Sequence, residues 1–183
     1  MTTEAEVWLR AHRHGTTTAT ALAFVDRLPG VAVEELTGRW HGAGWHTGHP
    51  WDGVLEALGW WGKEFLDADH VRPTLFRDAA GDPHPVDPVV APVRAINAAP
   101  AWARHPAVGA AFRLVRPLLE SGRPAGRLRP VLHRGTVTAA LVYDRVPIVD
   151  AFRRVDERSL LGLMDMRGLD EPFAFVLVRA PRG

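Results

Sequence analysis

The sequence predicts an α+β protein: a mainly antiparallel curved sheet or calycin-like β-barrel with two or three covering helices. Three observations lead there. Five apolar runs follow one another between residues 127 and 180, joined by separators short enough for hairpins and too short for helical crossovers. Two of these runs, "TAALVY" and "FAFVLV", are largely apolar on both alternating faces, as in a sheet that is covered on both sides or curled into a barrel. Two earlier strand-like pieces, about 38–48 and 70–77, supply enough extra width to approach closure.

The chain has 183 residues, 46% of them hydrophobic, which suits one domain spanning 1–183. In order, "TTTATALAFVDRLPG" reads as a helix: threonines cap its start, Leu22, Val25 and Leu28 share a face, and Pro29-Gly30 stops it. From Leu36 to Gly48, glycines and tryptophans suit a strand with close backbone approach and a bulge. "HPWDGVLEALGWWGKEF" then takes a helical period, with Trp51, Leu55, Leu58 and Trp61 near one stripe and Pro50 in the first turn. "HVRPTLFR" predicts a short strand, at an edge or on an irregular path because of Pro73. These pieces make up an N-terminal part of about 16–77.

Residues 78–92, with Pro83, Pro85, Pro88 and Pro92, read as an ordered loop or mobile lid. A helix over 101–119 carries Trp102, Val108, Phe112, Val115 and Leu119, and Pro117 kinks or shortens its last turn. The turn-rich "ESGRPAGR" leads into the antiparallel meander of about 127–180: "RLRPVLHRG", "TVTAALVYD", "VPIVDAFRRV", "SLLGLMDMRG" and "PFAFVLVRA".

With 22 basic and 21 acidic residues, the net charge is +1, so no field gathers nucleic acid or anionic lipid. Absent cysteines remove disulfides and thiolate chemistry. The start "MTTEAEVWLR" lacks the basic and apolar regions of an export signal, and no segment has the roughly 20 apolar residues of a membrane span. A cytoplasmic protein is expected.

The stretch "GRWHGAGWHTGHPWDGVLEALGWWGKEF", followed by "LRPVLHRGTVTAALVYDRVPIVDAFRRVDERSLLGLMDMRG", resembles the GXWXG/DUF4334 family, from about Val33 to Val178. Gly38-Arg39-Trp40-His41-Gly42 is similar to its name-giving motif. Tyr143-Asp144, Pro147-Ile148, Asp150, Phe152-Arg153-Arg154-Val155-Asp156 and Met164-Asp165 are similar to its second part. The resemblance implies no catalytic residue. The Gly-x-Trp also looks like the opening strand of lipocalins and fatty-acid-binding proteins, which implies a barrel holding apolar ligands.

His41, His46 and His49 do not share parity on a regular strand, so no metal site is expected. His49 is a candidate general acid or base, while Asp52 reads as an acceptor for the amides of the first helical turn. Trp40 and Trp45 are core or a ligand wall. Asp150, Phe152 and Arg154 share a face, so Asp150 and Arg154 either pair or work on a ligand. In the second case Arg154 grips an acidic head group, helped by Tyr143, Asp150 or His133. Met164 joins the ligand-facing set, and Asp165, of opposite parity, is an acid/base candidate if it turns inward. Lys63 and Glu64 read as surface or cap residues.

The function expected is binding of a hydrophobic or amphipathic small molecule in a barrel cavity, with no cofactor. The alternatives are a cofactor-independent isomerase or cyclase using His, Asp or Tyr, and a structural protein with a filled barrel. The partner expected is that small molecule, with a homodimer left open.

Overall fold

The computed structural model describes residues 3–181. Its strands are β1 (Gly38–Gly44), β2 (Trp60–Phe65), β3 (Val71–Arg77), β4 (Pro83–Pro85), β5 (Gly126–His133), β6 (Thr136–Tyr143), β7 (Ile148–Arg154), β8 (Ser159–Met166) and β9 (Phe173–Arg179). Helices are α1 (Glu4–Ala11), α2 (Thr18–Val25), α3 (Val54–Ala57), α4 (Val93–Ala98), α5 (Pro100–Ala103) and α6 (Pro106–Leu119). The sheet order is β2-β1-β9-β8-β7-β6-β5-β3-β4, every pairing is antiparallel, and β2 also pairs with β3. That last pairing closes the sheet into a ring, with β4 hung outside it on β3. Closure is thinnest between β3 and β5, which share the single register pair Val71↔Gly126.

The C-terminal meander forms as its sequence predicts, because each run is long enough for a strand and each separator is too short for a helical crossover. Inside the ring, Trp40, Phe65, Leu128, Leu141, Phe152, Phe175 and Leu177 build the main core. Outside it, α2 and the turn after it lay Ala21, Phe24, Val25 and Leu28 on the outer face of β8 and β9 with Trp45. Trp8 of α1, a helix the sequence reading did not include, stacks on Phe24 at 3.9 Å. Both faces of β8 are therefore buried, which is why its residues alternate so weakly in polarity.

Two helical expectations change. The helix read through residues 49–65 shrinks to α3, bounded by Gly53 and Gly59, both at φ +78°, and Trp60 onward is strand β2. Pairing on both sides, with β1 and β3, outweighs a helical stripe that could have buried only one face. The helix read over 101–119 is split into α5 and α6, since Pro106 starts a new helix in its first turn. Within the proline-rich loop, β4 forms, and α4 follows at 93–98.

The G-x-W-x-G segment has a packing reason at its tryptophan and at its second glycine. Trp40 points into the core and donates its indole N–H to the Leu36 carbonyl at 2.8 Å. A Cβ on Gly42 would lie 2.3 Å from the Trp60 ring, so only glycine lets that ring lie against β1. Gly62 makes a bulge in β2: its φ is +147°, and a Cβ there would stand 1.9 Å from the Trp40 carbonyl. The bulge shifts the parity of the strand, so Trp60 and Lys63, three positions apart, both face inward.

Candidate functional site

Helices α3 to α6 and the 86–92 segment cross one mouth of the barrel and leave a cavity of about 510 Å³ beneath them. Leu55, Trp60, Phe76, Ile96, Phe112 and Phe173 are among its apolar walls. Three polar side chains from three strands meet at its inner wall: Lys63 of β2, Tyr143 of β6 and Asp150 of β7.

Lys63 Nζ lies 2.7 Å from Asp150 Oδ2, 2.9 Å from the Tyr143 hydroxyl and 3.2 Å from the Pro73 carbonyl. The Tyr143 hydroxyl in turn donates to Asp150 Oδ2 at 3.0 Å. The ammonium is also surrounded by ring faces, with Nζ 5.1 Å from the Phe175 centroid and 5.6 Å from that of Trp60. Burial, and then the negative charge of Asp150, push the Tyr143 hydroxyl well above the ordinary phenol range, so it stays a neutral donor. The cluster can position a polar group of a bound molecule or exchange a proton with it.

The other sequence candidates fall in several places. Met164 lines the cavity with Tyr143 and Asp150. Phe152 and Trp40 are in the barrel core and do not line it. Trp45 lies outside the barrel under α1 and α2, donating its indole N–H to the His12 carbonyl at 2.9 Å. His49 is buried beside Phe173, with both ring nitrogens committed to backbone: Nδ1 accepts from the Trp51 amide and Nε2 donates to the Glu171 carbonyl, each at 3.1 Å. Burial holds its pKa below the ordinary imidazole value, against the opposing pull of that carbonyl. Asp165 is exposed on the outer face, opposite in parity to Met164.

His133 sits at the end of β5, its pKa lowered by burial and then by Arg153. Arg154 does not pair with Asp150. Four residues along a strand separate the two by about 13 Å, and Arg154 is bound instead by Glu35. Asp52 collects the amides of Thr47, Gly48 and His49 through Oδ2, at 3.0, 2.8 and 3.0 Å, so it anchors the loop before α3 and not the first turn of that helix. Lys63 is the member the sequence reading placed on the surface. Its only signal is the Gly in "WWGKEF", which marks a bulge once the segment is taken as a strand.

A second depression, about 710 Å³ and bordered by residues 30–35, Leu128 and Thr138, contains none of these candidates. No helix among the described residues is long and apolar enough to cross a membrane.

Residues 23–81 match the family described as "GXWXG protein", and residues 124–179 match "Domain of unknown function (DUF4334)". A crystal structure of a protein from Thermomonospora curvata is similar over 98% of this chain and 100% of that one, at 30% identity and a TM-score of 0.72. Among curated proteins, none matches. With both segments present in the expected order, the chain belongs to the GXWXG/DUF4334 family.

Proposed function

We propose that the protein binds a hydrophobic or amphipathic small molecule in the cavity under α3–α6. The observation that supports this is an apolar cavity of about 510 Å³ with one compact polar cluster, Lys63, Tyr143 and Asp150, in its wall. Small-molecule sites have this form: a volume of about 300–1,000 Å³, apolar walls, and a few placed polar groups that orient the ligand. Trp51 and Trp60 supply flat walls, and Met164 adds an adaptable one. The test is native mass spectrometry of protein purified gently from its host, followed by denaturing extraction. A discrete apolar compound that is lost in the Ile96→Trp variant, which fills the cavity, is the expected result. Extra mass retained by that variant would place the ligand elsewhere.

A second reading is a cofactor-independent isomerase or cyclase. It is favoured by the meeting of a carboxylate, an ammonium and a phenol in a water-poor pocket, where a proton can pass between Asp150 and a bound molecule. Incubating the extracted compound with wild type and with Asp150→Asn separates the readings. Conversion by wild type alone makes the cavity catalytic, and unchanged compound in both leaves it a binding site.

A further inference from the structure

The outer surface of the helices over the cavity is apolar and basic at once. Along α6, Ala107, Ala110, Ala111, Leu114 and Leu118 recur at helical spacing on one stripe, and all are exposed, Leu114 at 82% and Leu118 at 87%. The opposite side of the helix, with Phe112 and Leu119, faces the cavity. Trp102 and Val115 belong to both surfaces: they line the cavity and are themselves exposed, so the patch runs to the cavity mouth. A helix that is apolar all round normally has both faces covered, and α6 has one.

The expectation that no field gathers anionic lipid rests on a whole-chain net charge of +1, which conceals a local imbalance. Residues 88–119 are the longest acid-free stretch of the chain and carry Arg94, Arg104, Arg113 and Arg116. The acids at its two ends are already engaged, Asp87 by Arg145 and Glu120 by Arg116. The next basic strand and turn are neutralised as well, since Arg127, Arg129 and Arg134 each meet a carboxylate. Arg94, Arg104 and Arg113 are exposed and meet no carboxylate among the described residues. Arg113 stands one position before Leu114, about 100° around the helix, at the edge of the apolar stripe.

A two-fold contact through this face would set three arginines against three more. An anionic bilayer would neutralise them and take up the leucines between them, as it does with any helix that is apolar on one stripe and basic at its edges.

We propose that the face formed by α4, α5 and α6 docks on an anionic lipid bilayer. Leu114, Leu118 and Trp102 enter the boundary of headgroups and acyl chains, Arg94, Arg104 and Arg113 lie among the headgroups, and the cavity mouth turns toward the lipid. This adds a surface to the small-molecule reading and does not depend on it.

The test is co-flotation of the full chain with vesicles of equal parts phosphatidylglycerol and phosphatidylcholine, against vesicles of phosphatidylcholine alone. Each exposed arginine contributes about fivefold beside an anionic surface, so affinity should differ by about a hundredfold between the two vesicles, and added salt should shrink the difference. Arg94→Gln combined with Arg113→Gln should weaken binding to the anionic vesicles about 25-fold. Arg104 is spared because it donates to the Pro50 and Asp52 carbonyls. Leu114→Gln combined with Leu118→Gln should weaken that binding at least about tenfold, with an unfolding midpoint close to wild type because both side chains are already in solvent. Equal binding to both vesicles overturns the proposal, as do leucine variants that bind like wild type. Failure to float with either vesicle also overturns it, and a dimer in sedimentation that the leucine variants abolish would assign the face to a second copy. The cavity ligand is read separately by mass spectrometry, so either reading can fail while the other stands.

Discussion

Lys63 Nζ stands 2.7 Å from Asp150 Oδ2, and the two side chains are only 4% and 1% exposed. A pair this deep costs desolvation on both sides, which the Tyr143 hydroxyl and the Pro73 carbonyl partly offset by hydrogen bonding. Removing one partner is therefore a larger injury than removing both. Lys63→Met should destabilise the protein by about 3–5 kcal/mol, and adding Asp150→Leu should recover a large part of that loss. Urea unfolding of the two single variants and the double variant checks this, and a double variant no more stable than Lys63→Met would mean the pair is not the source of the cost.

Gly42 is held to glycine by a ring and not by its backbone angles. Gly42→Ala should displace Trp60, at a cost of about 1–3 kcal/mol, and alter tryptophan fluorescence in the folded state. An unchanged spectrum with unchanged stability would show that the Trp60 ring has room to move aside.

The two apolar helical surfaces should respond in opposite ways. Phe24 is 3% exposed between α2 and the outer sheet face, so Phe24→Ala should cost about 3–5 kcal/mol. Leu118 on α6 is 87% exposed, and Leu118→Ala should change stability by less than about 0.5 kcal/mol. Equal losses in thermal unfolding would show that α6 buries its outer face in solution.

Histidine burial sets a pH dependence. His49, His41 and His133 are each held below their ordinary value of 6.5, in every case chiefly by burial. The unfolded chain then takes up protons first as pH falls, so stability is fully present above 6.5 and declines below it until the folded-state values are passed. Midpoints of urea unfolding should drop across that interval, and His49→Gln should flatten the drop. A midpoint that rises on acidification would contradict the sign.

Glu64 adds a further decline at lower pH. Burial alone would raise its pKa, but Arg39 and Arg72, each at 2.7 Å, together outweigh burial and lower it. Its contribution is present above the ordinary carboxylate value of 4.5 and lost as pH falls through the depressed one. Glu64→Gln should remove that part of the acid transition. Acid unfolding identical to wild type would mean the two arginines do not favour the carboxylate.

The sequence by itself determined the α+β class, the five C-terminal strands, the opposite parity of Met164 and Asp165, and the family. These are local properties: period, turn chemistry and motif order can be read without knowing what packs where. Tertiary structure alone decided that "GWWGKEF" is strand, because two neighbours bond to it. It also decided that Lys63 points inward. A lysine after a helical stripe reads as surface, and only the bulge at Gly62, where a Cβ would collide with the Trp40 carbonyl, reverses its parity. Asp150 was legible as an inward carboxylate in need of a cation, but Arg154 was the cation of matching parity on its own strand, while Lys63 of a distant strand is the one that meets it. Barrel closure brings β2, β6 and β7 to one cavity, and no spacing along the chain encodes which distant side chains a closed sheet brings together.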